Sequence, residues 1–246
     1  MRLTFLGTRA NTPKKTRSHR RHSALLVSHS DDRVMVDCGG DWAVRLPRLA
    51  PGAIVLTHAH PDHAAGLQAG APCPVYATAP TRNALRTYPV DDLRIVVPRE
   101  PFVIGSIGLE AFELEHSLRA PAVGYRITTG GASIFYAPDV LAIADSAQAL
   151  SGLVLYIGDG STLTRSIVRS DEAGRFGHAD IRTQLEWCAQ AGVPRALFTH
   201  CGSQIVHSDG RMVGARLRAM ARPLDIQVGF ARDGLALEIN GGVRVV

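Results

Sequence analysis

The chain has 246 residues and 26.4 kDa, of which 46% are hydrophobic and 20% charged. That balance supplies a sizeable core and excludes a disordered chain; no stretch nears the ~20 apolar residues needed to cross a bilayer, which excludes a helical membrane protein. The net charge of +5 leaves room for an anionic partner, because a positive potential concentrates anions.

In chain order, apolar alternation predicts strands at Arg2 to Gly7, Ser23 to Ser28, Arg33 to Asp37 and Ala53 to Thr57. Helical patterns follow at Asp41 to Leu49, Asp62 to Gln68 and Ala79 to Arg86, bounded by Pro and Gly. Short β runs return between Leu93 and Tyr136, at Leu109 to Leu114, Gly124 to Thr128 and Ser133 to Tyr136. The rest alternates: strand Leu153 to Ile157, helix Ala179 to Ala191, strand Ala196 to Thr199, helix Met212 to Met220, and strands near Ile226 and Leu235. Two β-rich stretches, each followed by helices, predict an α/β protein with two packed sheets and helices outside, a four-layer αββα sandwich. Nothing resembles a linker, so one domain over residues 1–246 is expected.

Four cysteines, Cys38, Cys73, Cys188 and Cys201, have no CxxC spacing. Neither a disulfide framework nor a thiolate zinc site is indicated. The apolar start, Leu3 to Leu6, is too short for a signal peptide, and a cytoplasmic location is expected. Lys14, Lys15, Arg17, Arg20 and Arg21 cluster within eight residues, with His19 and His22 interleaved. A solvated basic loop is the ordinary reading of such a run, and a phosphate-facing loop the alternative.

The chemistry concentrates at Thr57-His58-Ala59-His60-Pro61-Asp62-His63, directly after an apolar strand. Four nitrogen or oxygen donors in six positions suit Zn²⁺, Mn²⁺ or Fe, and a tight turn there splays them toward adjacent points. This segment resembles the HxHxDH signature of the metallo-β-lactamase superfamily, whose members hold two metals in a four-layer sandwich. The resemblance extends to His116 at the end of a β run, to Asp139 in Tyr136-Ala137-Pro138-Asp139, and to His200 after Ala196 to Thr199. It implies two divalent transition-metal ions, one on His58, His60 and His116, the other on Asp62, His63 and His200, with Asp139 bridging. Asp159, also after an apolar strand, is the rival for the bridge.

Gly177-His178-Ala179-Asp180 is similar to the Gly-His-Ser/Thr element of ribonuclease Z and related phosphodiesterases, in which the histidine faces the scissile phosphate. Ala179 departs from it by lacking the hydroxyl. The helix pattern starting beside His178 places that residue at an anion-friendly helix start. The implied reaction is hydrolysis of a small or cyclic phosphodiester, with His178 stabilising charge or protonating the leaving group, Asp62 also orienting water, and Asp37 and Asp159 orienting imidazoles. A long basic arm for tRNA is absent, and no cysteine precedes Cys38 to ligate an extra zinc as in the cyclic phosphodiesterase of that superfamily. A small anionic substrate is therefore favoured over nucleic acid, and a homodimer is left open. The alternatives are lactone or thioester hydrolysis, tRNA 3′ processing, and a metal-binding protein without turnover. His207 is read as a solvated loop histidine.

Overall fold

Short alternating segments build the first half of the chain. The computed structural model describes residues 1–172 and 174–246. Strands β1 (Arg2–Gly7), β2 (Ala24–His29) and β3 (Asp32–Val36) form an antiparallel meander, and β4 (Ala53–Val55), β5 (Val75–Thr78) and β6 (Leu93–Val96) extend it in parallel. The loops between the parallel strands hold α1 (Leu46–Leu49), α2 (Pro61–Ala64) and α3 (Ala79–Ala84). The second sheet comprises β7 (Phe102–Ile104), β8 (Ile107–Glu115), β9 (Ala122–Thr129), β10 (Ala132–Tyr136) and β11 (Ala142–Ile143), then, after α4 (Ser146–Leu150), β12 (Leu155–Asp159). A separate hairpin, β13 (Ile167–Asp171) and β14 (Gly174–His178), precedes α5 (Ile181–Gln190). Then come β15 (Arg195–Thr199), α6 (Ser203–Val206), α7 (Gly210–Ala221) and β16 (Gln227–Phe230), and β17 (Ala236–Ile239) and β18 (Val243–Val245) return to the first sheet.

The strand orders are β18-β17-β1-β2-β3-β4-β5-β6 and β11-β8-β9-β10-β12-β15-β16, with β7 beside β8. The period of two in each strand sorts its residues by layer. Leu25, Val27, Val34 and Val36 face the gap between sheets, where Tyr125, Ile127, Ile134 and Ile157 meet them. Leu26, Met35 and Ile54 face the other way, onto Trp42, Leu46 and Leu67. On the far side, Phe135, Tyr156 and Phe198 pack under Leu185 of α5 and Leu217 of α7. Three apolar seams between four layers make the expected αββα sandwich.

Several boundaries differ from expectation. The segment Asp41 to Leu49 is a 3-10 turn at Gly40–Trp42 followed by α1. Pro47 has no N–H to continue a longer helix through it. The predicted helix Asp62 to Gln68 is α2 followed by a 3-10 stretch, Ala65–Ala69. Strand β12 runs to Asp159, two residues beyond its predicted end, because its parallel register with β15 continues to Asp159 opposite Thr199. The hairpin β13–β14, rich in Arg, Ser and Gly, has no alternation to announce it, and β5 and β18 are too short to do so.

What positions chemistry is the direction of the strands. β4, β10, β12 and β15 all belong to parallel pairs, and open parallel sheets gather ligands beyond their carboxyl ends. His58, Asp139 and His200 each follow such an end, while Asp159 closes one.

Phe135 stacks on Tyr156 at 6.3 Å between ring centroids and meets Phe112 edge-on at 5.8 Å. Phe135→Ala should cost about 3–5 kcal/mol, the scale for emptying a fully buried aromatic site. Urea unfolding of both proteins measures it, and a loss under 1 kcal/mol would contradict this packing.

Candidate metal centre

Each donor is held by local structure before it meets its neighbours. Thr57 bonds through both its amide and its hydroxyl to the buried Asp37, at 2.8 and 2.9 Å, so the chain leaves β4 in a fixed direction. His60 is the extended residue before α2, and Pro61 takes the first helical position, where its missing N–H costs nothing. That turn aims Asp62 and His63 inward, where both are buried. It packs against Gly39, at which any Cβ would lie 2.1 Å from the Asp62 carbonyl. Asp37 and His200 adopt left-handed backbone, with φ of 64° and 50°. Such conformations are sparsely populated for non-glycine residues and recur where function fixes a side chain.

The seven residues expected as ligands converge. His58 Nε2 lies 2.9 Å from His60 Nδ1, and His116 Nε2 lies 3.3 Å from the same nitrogen. A tetrahedral ion with bonds of about 2.0–2.1 Å spaces its nitrogen ligands by roughly 3.3 Å, so this triangle suits one. A second group joins Asp62, His63 and His200. Asp62 Oδ2 is 3.3 Å from His200 Nε2 and 3.6 Å from His63 Nε2. Asp139 lies between the groups, its Oδ2 at 2.6 Å from His63 Nε2 and 3.7 Å from His58 Nε2, its Oδ1 at 3.1 Å from His200 Nδ1. Asp159 approaches only His178, at 2.7 Å, and His200, at 3.7 Å. The geometry therefore favours Asp139 for the bridge.

Whether these residues suit metal is answered by the donors themselves. His63 Nε2 and Asp139 Oδ1 are buried without a partner in hydrogen-bond geometry; orphaned polar atoms of this kind are costly unless an ion or water completes them. The opposite nitrogens are already committed. His63 Nδ1 donates to Asp37 Oδ2 at 2.8 Å, and His116 Nδ1 donates to the Gly177 carbonyl at 3.0 Å. A carboxylate and a carbonyl only accept, so the proton stays on Nδ1 and Nε2 is the nitrogen each ring would offer a metal, which at His63 requires release of its second proton. Soft sulfur takes no part: the four cysteines are free, and none is in the cluster.

Electrostatics divides the centre. Burial pushes the pKa of His58, His60 and His116 below the ordinary imidazole value, reinforced at His58 by the charge of His63. Those three are neutral nitrogen donors. Burial opposes a charge at His63 and His200 too, but Asp37 outweighs it at the first, and Asp139 lifts the second to about 10. The carboxylates answer: burial works against ionised Asp62, yet His63 and His200 hold it well below the usual range.

His178 requires a correction. It does not start a helix; it ends β14, and α5 begins three residues later under an Asp180 cap that accepts from Thr183 N at 3.0 Å. Gly177 allows this. Its φ is 135°, a Cβ there would meet the Ile167 carbonyl at 1.8 Å, and its N–H bonds the His116 carbonyl at 2.8 Å. The hairpin thus delivers His178 to the cluster, Nδ1 donating to Asp159 Oδ2. Burial disfavours its charged form, but the Asp159 carboxylate beside it raises its pKa. Ala179 brings no hydroxyl to this place, and Ser161 Oγ lies 3.3 Å from Nδ1 of both His178 and His200.

The open side is a cavity of about 360 Å³ lined by the cluster together with Asn11, Thr12, Ser161, Ile167 and Ser203. Sequence reasoning missed all five, since single Asn, Ser or Thr residues carry no spacing signal. The basic loop does not reach the cavity. Lys14, Lys15, Arg17 and Arg20 are exposed, and Asp233 ties the loop down by accepting from Thr8 Oγ1 and the amides of Arg20 and Arg21. His207 is exposed, and His19 bonds Thr8.

Residues 32–201 match the family model described as the beta-lactamase superfamily domain. The ribonuclease Z of Methanopyrus kandleri is 28% identical to the chain, over 97% of the chain and 98% of that protein. A solved diphosphatase of the PhnP family superposes with a TM-score of 0.73 at 21% identity, covering 100% of this chain and 99% of its own. Zn²⁺-bound PqqB from Methylobacterium extorquens superposes with a TM-score of 0.72 at 18% identity, covering 97% of this chain and all of its own.

Two measurements test the electrostatics. In metal-free protein, His200 binds its proton more tightly folded than unfolded. Its stabilisation is complete below about pH 6.5 and disappears as pH rises to about 10; a metal-free stability that climbs through that window would contradict it. Separately, Asp37→Asn keeps the left-handed backbone but loses the charge behind His63. Metal affinity, read by competition with a chelator, should fall about 10- to 100-fold.

Proposed function

We propose, for a chain that belongs to the beta-lactamase superfamily and is a metal-dependent hydrolase, that its substrate is a small or cyclic phosphodiester. His58, His60 and His116 would hold one divalent ion and Asp62, His63 and His200 the other, with Asp139 placed between them. Ions held there supply Lewis-acid charge at the phosphoryl oxygens and activate water near neutral pH. Zinc fits the nitrogen-rich donor set, and manganese the carboxylates.

The observation that carries the phosphodiester reading is the His178–Asp159 pair. Asp159 Oδ2 holds His178 Nδ1 at 2.7 Å and also accepts from the Val140 amide at 3.1 Å, while Oδ1 accepts from the Ser161 amide at 2.8 Å. The carboxylate is thereby fixed on the side away from solvent, with its pKa held at about 2 despite burial, chiefly by His178. His178 lines the cavity, and its Nε2 has no hydrogen-bond partner among the described residues. A protonated imidazole there meets the negative charge that gathers on a phosphorus centre, and hands its proton to the departing oxygen. Asp62, anchored on one oxygen by His200, keeps the other to orient the attacking water. Lactone opening on the same metals has less need of a second cation beside them.

Processing of tRNA 3′ ends is the second reading, favoured by the full-length similarity to a ribonuclease Z. Polynucleotide binding rests on many phosphate contacts and weakens steeply with salt, whereas this cavity has no lysine or arginine among its described lining residues.

Metal-loaded protein should hydrolyse bis-p-nitrophenyl phosphate, contain up to two ions per chain, and lose one in His60→Ala. His178→Ala should keep its metal and slow by roughly 10²-fold or more. Wild-type rates in His178→Ala would remove that residue from the reaction. Turnover of lactones but not phosphodiesters would remove the substrate class. Rapid, strongly salt-dependent cleavage of precursor tRNA would establish the second reading.

A further inference from the structure

The rim of the metal cavity is built from neutral hydrogen-bonding groups on a rigid turn. Ala10 to Thr12 form one wall, and a buried guanidinium holds them. Arg9, 3% exposed, donates from Nη1 to the carbonyls of Ala10 and Thr12 and from Nε to that of Arg20. Its Nη2 pairs with Asp41 at 2.9 Å. On the other side the Ala10 amide bonds the carbonyl of Cys201, the residue after His200. The turn is therefore indexed to the metal centre itself, which is how a substrate contact gains precision.

On this frame the Asn11 carboxamide has no hydrogen-bond partner among the described residues, nor has the Ser203 hydroxyl at the head of α6, whereas Ser161 is occupied by His178 and His200. The Thr12 hydroxyl is buried and likewise unpartnered. Ile167, at the start of the hairpin, is 43% exposed and adds an apolar contact to the same cavity. A second phosphate or a carboxylate beside the scissile group would call for arginine or lysine, and none lines the site. Neutral donors and acceptors on one side, with an aliphatic contact on the other, match a hydroxyl-bearing sugar that carries a flat ring with an apolar face. The volume of about 360 Å³ lies at the lower end for small-molecule sites, which suits one nucleoside rather than a chain of them.

We propose that Asn11 and Ser203 are specificity-determining residues that hydrogen-bond the sugar hydroxyls of a nucleoside esterified to the scissile phosphate. This rests on the phosphodiester reading above. The roles divide cleanly. The metals and His178 act on phosphorus, Arg9 positions the wall, and the uncommitted amide and hydroxyl select what phosphorus carries.

The test uses two esters with the same leaving group, uridine 5′-p-nitrophenyl phosphate and bis-p-nitrophenyl phosphate, on the metal-loaded full chain. Wild-type protein should favour the nucleoside ester in kcat/KM by about tenfold or more. Asn11→Ala and Ser203→Ala should each raise KM for the nucleoside ester several-fold to tenfold, the scale of one lost neutral hydrogen bond, and leave the bis-aryl ester within twofold. The 3′-deoxy nucleoside ester given to wild-type protein should reproduce the Asn11→Ala loss. Equal losses on both esters would mean a structural role, and unchanged KM in both variants would mean no contact; either overturns the proposal. So does wild-type turnover of the bis-aryl ester without preference for the nucleoside, which leaves the phosphodiester reading intact. Inertness toward both esters overturns that reading and this proposal with it.

Discussion

A carboxylate 3% exposed, with imidazoles around it, sets the terms for this molecule. Asp139 has nitrogens of His63, His178 and His200 within 3.3 Å. An isolated charge at such depth is costly, and burial alone would neutralise it. Instead its pKa sits well below the ordinary carboxylate value: burial opposes ionisation, and the facing histidines, His200 foremost, override it. Anion and cations must arrive together or neither is tolerated. The fold arranges this by ending strands of both sheets at one edge, so that β4 brings His58 and His63, β10 brings Asp139, and β15 brings His200. The same excess of donors over available hydrogen-bond partners makes the place suited to metal rather than to protons.

Support runs outward from that centre in a consistent direction. Asp37 fixes His63 and Thr57, the Gly177 carbonyl fixes His116, and Asp159 fixes His178. Every one of these supporters is itself bonded or buried. Left-handed backbone at Asp37 and His200 is the expense of that precision, of order 1–3 kcal/mol each, and the three apolar seams of the sandwich are what sustain it. Stability and function therefore divide by layer, packing in the seams and charge at one edge.

Much of this was legible in the residues. A donor that must follow a strand end sits beside an apolar run, so His58, His60, Asp62, His63, His116, Asp139 and His200 could be picked out by position. Asp37 and Asp159 ended or followed predicted strands in the same way. Legibility failed where order comes from tertiary contact alone. The hairpin β13–β14 is held by pairing and by the Gly177–His116 exchange, not by alternation, so His178 looked like a helix start. A dense charge run drew attention to residues 14–22, yet charge density says only that a loop is solvated. The wall beside the candidate metal centre, Ala10 to Thr12, lies just before that run, and its rigidity depends on Arg9 reaching across to Asp41, 32 positions away in sequence.

That contrast explains why the family fixes the reaction class more firmly than the substrate. The cluster of candidate ligands is over-determined. Each member touches at least one other, and losing one exposes a buried charge that the rest must absorb. The rim is not constrained in this way. Asn11 and Ser203 bond to nothing else described, and Ile167 projects from a two-stranded hairpin outside both sheets, so changing any of them disturbs neither seam nor charge balance. Residues that can vary at little structural cost are the ones through which a common metal centre acquires different substrates. Metal-dependent hydrolysis is thus written into the buried edge where the strands of both sheets end, and the choice of substrate into the thin border of loop and hairpin around it.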